Sequence, residues 1–196
     1  MAMKIGKTSI PDDAIGLMKH RELSKVLHEY CVKQMAQENT AFLNAVHTRK
    51  GIPVLWSAFI KSGSQFEINI SGTLREEMTP LGEAADWDPR KWQKPLKEAY
   101  AVVAGLVNRN FLANKSDKFW DSKQFRDYVF KKVGSPSKVA RVTGMPEKEL
   151  SEMMFLSAVG RDAESKKIGE KLAKKEKDKA KAAALVKALK DAGLAA

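Results

Sequence analysis

Few residues in this chain have the types and spacing that chemistry needs. There are three histidines, His20, His28 and His47, and one cysteine, Cys31. His28 and Cys31 stand three apart, on one face of a helix, but a zinc site needs further ligands and no second thiol exists. The expected reading is a core Cys beside a surface His, with no metal and no cofactor. No Gly-rich nucleophile turn accompanies the serines, and no Gly-x-x-x-x-Gly-Lys loop is present to cradle phosphates. The sequence therefore predicts no enzyme. What remains is a polar pair, Glu38-Asn39, set four residues before Phe42 and Leu43. A carboxylate and an amide one turn along from apolar residues mark either a helix start, where Glu suits the positive end of the dipole, or a place where the helix meets a partner.

The elements that must position this pair all show helical period. Leu23, Val26, Leu27, Tyr30 and Cys31 fall at spacings 0, 3, 4, 7 and 8, which predicts a helix over 21–34. Phe42, Leu43 and Val46 predict another over 35–49, ended by Lys50-Gly51. Ile52, Leu55, Trp56, Phe59 and Ile60 repeat the pattern, with Pro53 in the first turn. Residues 65–70 alternate polar and apolar. A lone strand would leave its backbone unpaired, so they read as an extended loop with Phe66, Ile68 and Ile70 inward and Glu67 and Asn69 outward. A short helix over Leu74–Met78 is expected to close at Pro80. Asp88-Pro89 opens the next, which carries a buried stripe from Leu96 to Val107. Asn108–Asp117 reads as a polar loop, and Phe125, Tyr128, Val129 and Val133 mark a further helix. Residues 1–11 read as a loosely held start. The class is all-α, with about eight or nine helices.

The chain carries a net charge of +11, which favours acidic partners without choosing among them. Residues 161–196 hold eleven Lys and Arg against six Asp and Glu, so part of the excess belongs to a Lys/Ala-rich tail, read as a solvated or partly frayed helix. One cysteine permits no intrachain disulfide. No apolar run reaches membrane-spanning length, the N-terminus lacks a signal-peptide core, and the expected location is the cytoplasm. The expected organisation is a helical domain over 1–134, a helical hairpin over 135–160 and the tail over 161–196. Ala140, Gly144 and Leu150 match the small residue, turn glycine and buried aliphatic of a helix-turn-helix. However, Glu147, Glu149 and Glu152 crowd the end that would face DNA, so a plain hairpin is the preferred reading and nucleic acid the less favoured partner.

The order of motifs resembles the RGS domain, the regulators of G-protein signalling. Glu38-Asn39 followed by Phe42 resembles that family's Glu-Asn-x-x-Phe-Trp helix, and Ile52–Ile60 its next helix. Glu67-Ile68-Asn69-Ile70, then Arg75-Glu76-Glu77, is similar to its Glu-Val-Asn-Leu/Ile-Asp loop and the Arg-Glu beyond. Ala99-Tyr100 through Leu106-Val107, then Phe119-Trp120-Asp121-Ser122, resembles its long helix and the Phe-Leu-x-Ser that follows. The match runs over roughly residues 15–133. It implies a two-lobed bundle of nine helices and a protein partner, the GTP-bound α subunit of a heterotrimeric G protein. That partner's switch loops would be held in the shape of the transition state, with no catalytic side chain inserted. The contact residues it implies are Glu38, Asn39, Asn69 and Arg75, with Asn110 at the position of the family's acid and Asn114 near that of its Arg. The chain departs from the family at Ala36-Gln37, where Ser-Glu is usual, at Leu43 in place of Trp, and at Ser71 in place of an acid. Other expectations are a nucleic-acid-associated protein using the basic C-terminal region, and an RGS-fold scaffold without GTPase-activating function.

Overall fold

Amphipathic segments joined by short polar turns can bury their apolar stripes only against each other. In the computed structural model, which describes residues 3–5, 8–113 and 118–175 and the isolated positions 183, 186, 187 and 190, the architecture is all-α apart from one two-stranded hairpin. The contacts divide the chain into two units, Asp12–Gln124 and the described residues of Met1–Pro11 with Phe125–Ala196.

The unit Asp12–Gln124 begins with α1, Ala14–Met18, capped by the Asp13 carboxylate accepting from Gly16 N–H at 2.9 Å. Helices α2, Arg21–Lys33, and α3, Gln37–His47, follow. The chain reverses between them through Met35, whose φ of 56° is left-handed. Helix α3 ends at His47 with Thr48 as its cap, and the left-handed residue beyond it is Arg49, also at φ 56°, not Gly51 as the sequence suggests. Gly51 is extended and instead caps α4, Ile52–Leu55, with Pro53 in its first turn. Helix α4 continues as one wide π-turn, Trp56–Ile60.

Helix α5 runs Gly72–Glu83 from a Ser71 cap, straight through Pro80, where the sequence predicts a stop. A proline removes one backbone donor but does not by itself end a helix that packing holds. Packing does hold this one: Gly82 lies so close to Trp56 that a Cβ would stand 2.3 Å from the indole. Helix α6, Pro89–Val107, opens at the Asp88 cap and passes through Pro95 without a break. The expected polar loop after it begins as a second π-turn, Asn108–Leu112, because Phe111 and Leu112 give that segment an apolar side to bury. A 3₁₀ turn, Lys118–Asp121, is tied back by Trp120 Nε1 donating to Leu112 O at 3.0 Å. Phe42, Leu43, Ile60, Met78, Trp92 and Val107 form the centre of this unit's core.

In the other unit the described residues among 1–11 are not a loose segment. Strands β1, Met3–Ile5, and β2, Thr8–Ile10, pair antiparallel with Met3 opposite Ile10 and Ile5 opposite Thr8, and both Ile5 and Ile10 are fully buried. Helix α7, Lys123–Val133, begins two residues before the division. Helices α8, Pro136–Thr143, and α9, Glu147–Ala158, form the expected hairpin, turned at Gly144 with φ 68°. The described start of the tail is more than a solvated helix. Helix α10, Asp162–Lys175, packs along α9, with Ser165 Oγ donating to Met153 O at 2.9 Å and Leu172 buried. Further along, Ala183 and Val186 are exposed, and Leu189 lies outside the described residues. No helix among the described residues is long and apolar enough to cross a membrane.

Candidate functional site

Side chains that carry only amide or carboxylate chemistry act by hydrogen bonding, so their usefulness depends on how firmly they are presented. Glu38 and Asn39 occupy the first turn of α3, both half-buried. Asn39 Nδ2 donates to Glu38 Oε1 at 2.8 Å, which binds the pair together. Asn39 Oδ1 is buried and has no hydrogen-bond partner among the described residues. Next to them, Thr40 is fully buried, donates to Gln37 O at 3.2 Å and meets His28 Nδ1 at 2.8 Å. Burial pushes the nearby Cys31 thiol up to about 12; a Thr40 hydrogen bond works against this and the Glu38 charge adds to it. The thiol is thus held neutral and inert, a core Cys as the spacing suggests.

Asn69 sits on the loop after the first π-turn. The extended segment needs partners for its backbone, and the π-turn supplies them: Phe66 N–H donates to Ala58 O at 3.1 Å and Ile68 N–H to Phe59 O at 2.9 Å. Ile68 and Ile70 are buried, Phe66 is half-buried against Phe59, and Glu67 and Asn69 are exposed, which is the predicted alternation. Arg75 latches this loop. Its guanidinium donates to Ile60 O and, at 2.9 Å, to Ile68 O, and it lies 3.1 Å from Glu67 Oε1. Glu67 Oε2 in turn accepts from Gly63 N–H at 2.7 Å. Arg75 is therefore spent inside the fold, and only 20% of its side chain is exposed.

Asn110 stands exposed in the middle of the second π-turn. Its neighbour Phe111 meets Tyr30 edge-on, with ring centroids 5.8 Å apart, and Asn108 Oδ1 accepts from Ala14 N–H at 2.7 Å. Asn114 lies outside the described residues. Two of the implied residues, Glu38 and Asn39, are joined directly, and Arg75 is joined to the loop that carries Asn69. No hydrogen bond links these two groups among the described residues. They share a core contact instead: Phe42, one turn after Glu38, meets Phe59 edge-on at 5.7 Å, and Phe59 O holds Ile68, next to Asn69.

The sequence does not reveal the two π-turns, one preceding the loop of Asn69 and one containing Asn110. Wide turns of this kind recur at functional sites because they re-aim a short stretch of chain. Among the described residues no group of three or more His, Cys, Asp or Glu is placed to hold a metal ion. No family model, curated protein or solved structure matches the chain.

Proposed function

We propose that this chain is an RGS-like protein-binding module that holds the switch loops of a GTPase, with Asn69, Glu38 and Asn39 as its contact residues. One observation carries the reading: Asn69 is exposed between buried Ile68 and Ile70, on a loop that Arg75 fixes at its start and its middle. An amide held this way loses little freedom on binding. It can both donate to and accept from a partner's glutamine. Phosphoryl transfer depends mainly on positioning and charge stabilisation, so a module that only fixes the partner's loops can accelerate it. On this reading Asn110, a neutral residue where the family has an acid, weakens binding of the family's usual partner.

A DNA-reading role for α8 and α9 fits less well. Residues 153–156 of α9 are all buried, so a third of that helix has no free face for a groove. Its exposed end carries Glu147 and the half-buried Glu149.

The experiment is single-turnover GTP hydrolysis by a panel of heterotrimeric α subunits and small GTPases with the intact chain in excess, run beside a pull-down of the same panel. Faster hydrolysis by one member supports the full proposal. Capture without acceleration leaves the scaffold reading, and neither result from any member removes the GTPase partner.

A further inference from the structure

Besides the face at the start of α3, helices α2 and α3 form a second feature at their other end. They pack antiparallel, since the first half of α2 and the last half of α3 line one groove of about 330 Å³. The groove is open because α3 presents Ala41 and Ala45 there. Its rim carries three cations, Arg21, Lys25 and Lys50, and no carboxylate lines it. Asn44 adds an amide, while the Ser24 and Thr48 hydroxyls that also line the groove donate to Arg21 O at 3.1 Å and Asn44 O at 2.8 Å. None of the three cations has an ion pair or a side-chain hydrogen bond among the described residues. The first turn of α2 lies in the same groove, and its cap residue His20 makes no side-chain bond to the free backbone N–H groups. The positive end of a helix of thirteen residues is thus added to three positive side chains.

Three unpaired like charges converging on one concave surface repel each other, and a bound polyanion relieves that repulsion. We infer that this groove binds a ligand carrying a phosphoryl group. A phosphoryl group offers several acceptor oxygens and two charges, which matches a rim of Arg and Lys with the Asn44 amide beside them. The volume is in the range of small-molecule sites. Along α3 the groove's lining runs from Ala41 to Thr48, about 4.5 to 15 Å from Glu38 at 1.5 Å per residue, so its far end lies away from the proposed GTPase contact.

The phosphoryl group comes either from a soluble molecule or from a lipid headgroup, and two probes separate these. Titration calorimetry with inorganic pyrophosphate tests the first. Flotation with phosphatidylcholine vesicles, with and without a phosphoinositide, tests the second. Each is run on the intact chain, on Arg21→Ala/Lys25→Ala/Lys50→Ala and on Lys61→Ala/Lys94→Ala/Lys97→Ala, which removes the same charge from exposed positions elsewhere. Matching melting curves establish that both variants fold. The groove variant is expected to bind the active probe at least about tenfold more weakly, and the control within about twofold, because charge-assisted bonds are lost only in the first. Loss with pyrophosphate assigns a soluble ligand; loss confined to phosphoinositide vesicles assigns a headgroup. Equal weakening in both variants, or no saturable binding of either probe, overturns the inference.

Discussion

Replacing Arg75 by Ala tests how the loop of Asn69 is held. The guanidinium gives two hydrogen bonds to backbone carbonyls, Ile60 O and Ile68 O, and lies 3.1 Å from the Glu67 carboxylate. Bonds from a charged donor contribute about 1.5–3 kcal/mol each. The ion pair is partly exposed, with 37% of the Glu67 side chain open to solvent, so it adds under about 1 kcal/mol. Water reaches a site of this exposure and recovers part of the carbonyl bonding. A net loss of about 2–3 kcal/mol follows for Arg75→Ala. Arg75→Lys should recover less than half of it, because an ammonium cannot span both carbonyls as the planar fork does. Urea unfolding gives the global value. Amide exchange at Phe66 and Ile68, whose N–H groups bond to Ala58 O and Phe59 O, reports the loop itself and should quicken. An Arg75→Ala protein within about 0.5 kcal/mol of the parent, with those two amides as protected as before, would refute the latch.

Three further outcomes are expected. Gly82→Ala should destabilise by about 2–3 kcal/mol, since its Cβ would overlap the Trp56 ring at 2.3 Å, and urea unfolding followed by tryptophan fluorescence checks it. Alkaline pH should weaken the fold through Cys31. The folded thiol stays protonated to about 12, whereas an unfolded thiol ionises near ~8.5, so the unfolded chain releases its proton first. This contribution is complete below ~8.5 and falls as pH rises towards the folded value, so the urea midpoint should decline over that window less steeply in Cys31→Ala. Burial, and to a smaller extent the Cys31 charge, also raises the Tyr30 hydroxyl, which adds a decline of the same sign that Cys31→Ala reduces but does not abolish. Asp88→Ala should cost about 1 kcal/mol in a thermal melt, because its carboxylate caps α6 by accepting from Arg90 N–H at 3.0 Å.

Much of the helical order was legible because it rests on local chemistry. Asp13, Ser71 and Asp88 are side-chain acceptors where helices begin, Pro53 sits in a first turn and Gly144 takes the left-handed turn. What escaped reading depends on contacts distant in sequence. Pro80 looks like a stop until Gly82 is seen against Trp56. Asn108–Leu112 reads as loop because its polar residues outnumber Phe111 and Leu112, yet those two continue the helix as a wide turn. The hairpin of β1 and β2 has three residues to a strand, too few for period 2 to show. Ser165 and Gly169 do not register as apolar, but their small size lets α10 settle against Met153. In the candidate site, the outward turn of Asn69 follows from alternation alone. The inward use of Arg75 does not, because an arginine after an exposed loop reads as surface.

The most direct test of the proposed contact face compares Asn69→Ala with the parent chain. The side chain is exposed and makes no hydrogen bond among the described residues, so the variant should unfold within about 0.5 kcal/mol of the parent. With a GTPase whose hydrolysis the parent accelerates, single-turnover measurement should then show the acceleration reduced at least about tenfold, the equivalent of ~1.4 kcal/mol of lost contact. An Asn69→Ala protein that accelerates hydrolysis as well as the parent would contradict the account.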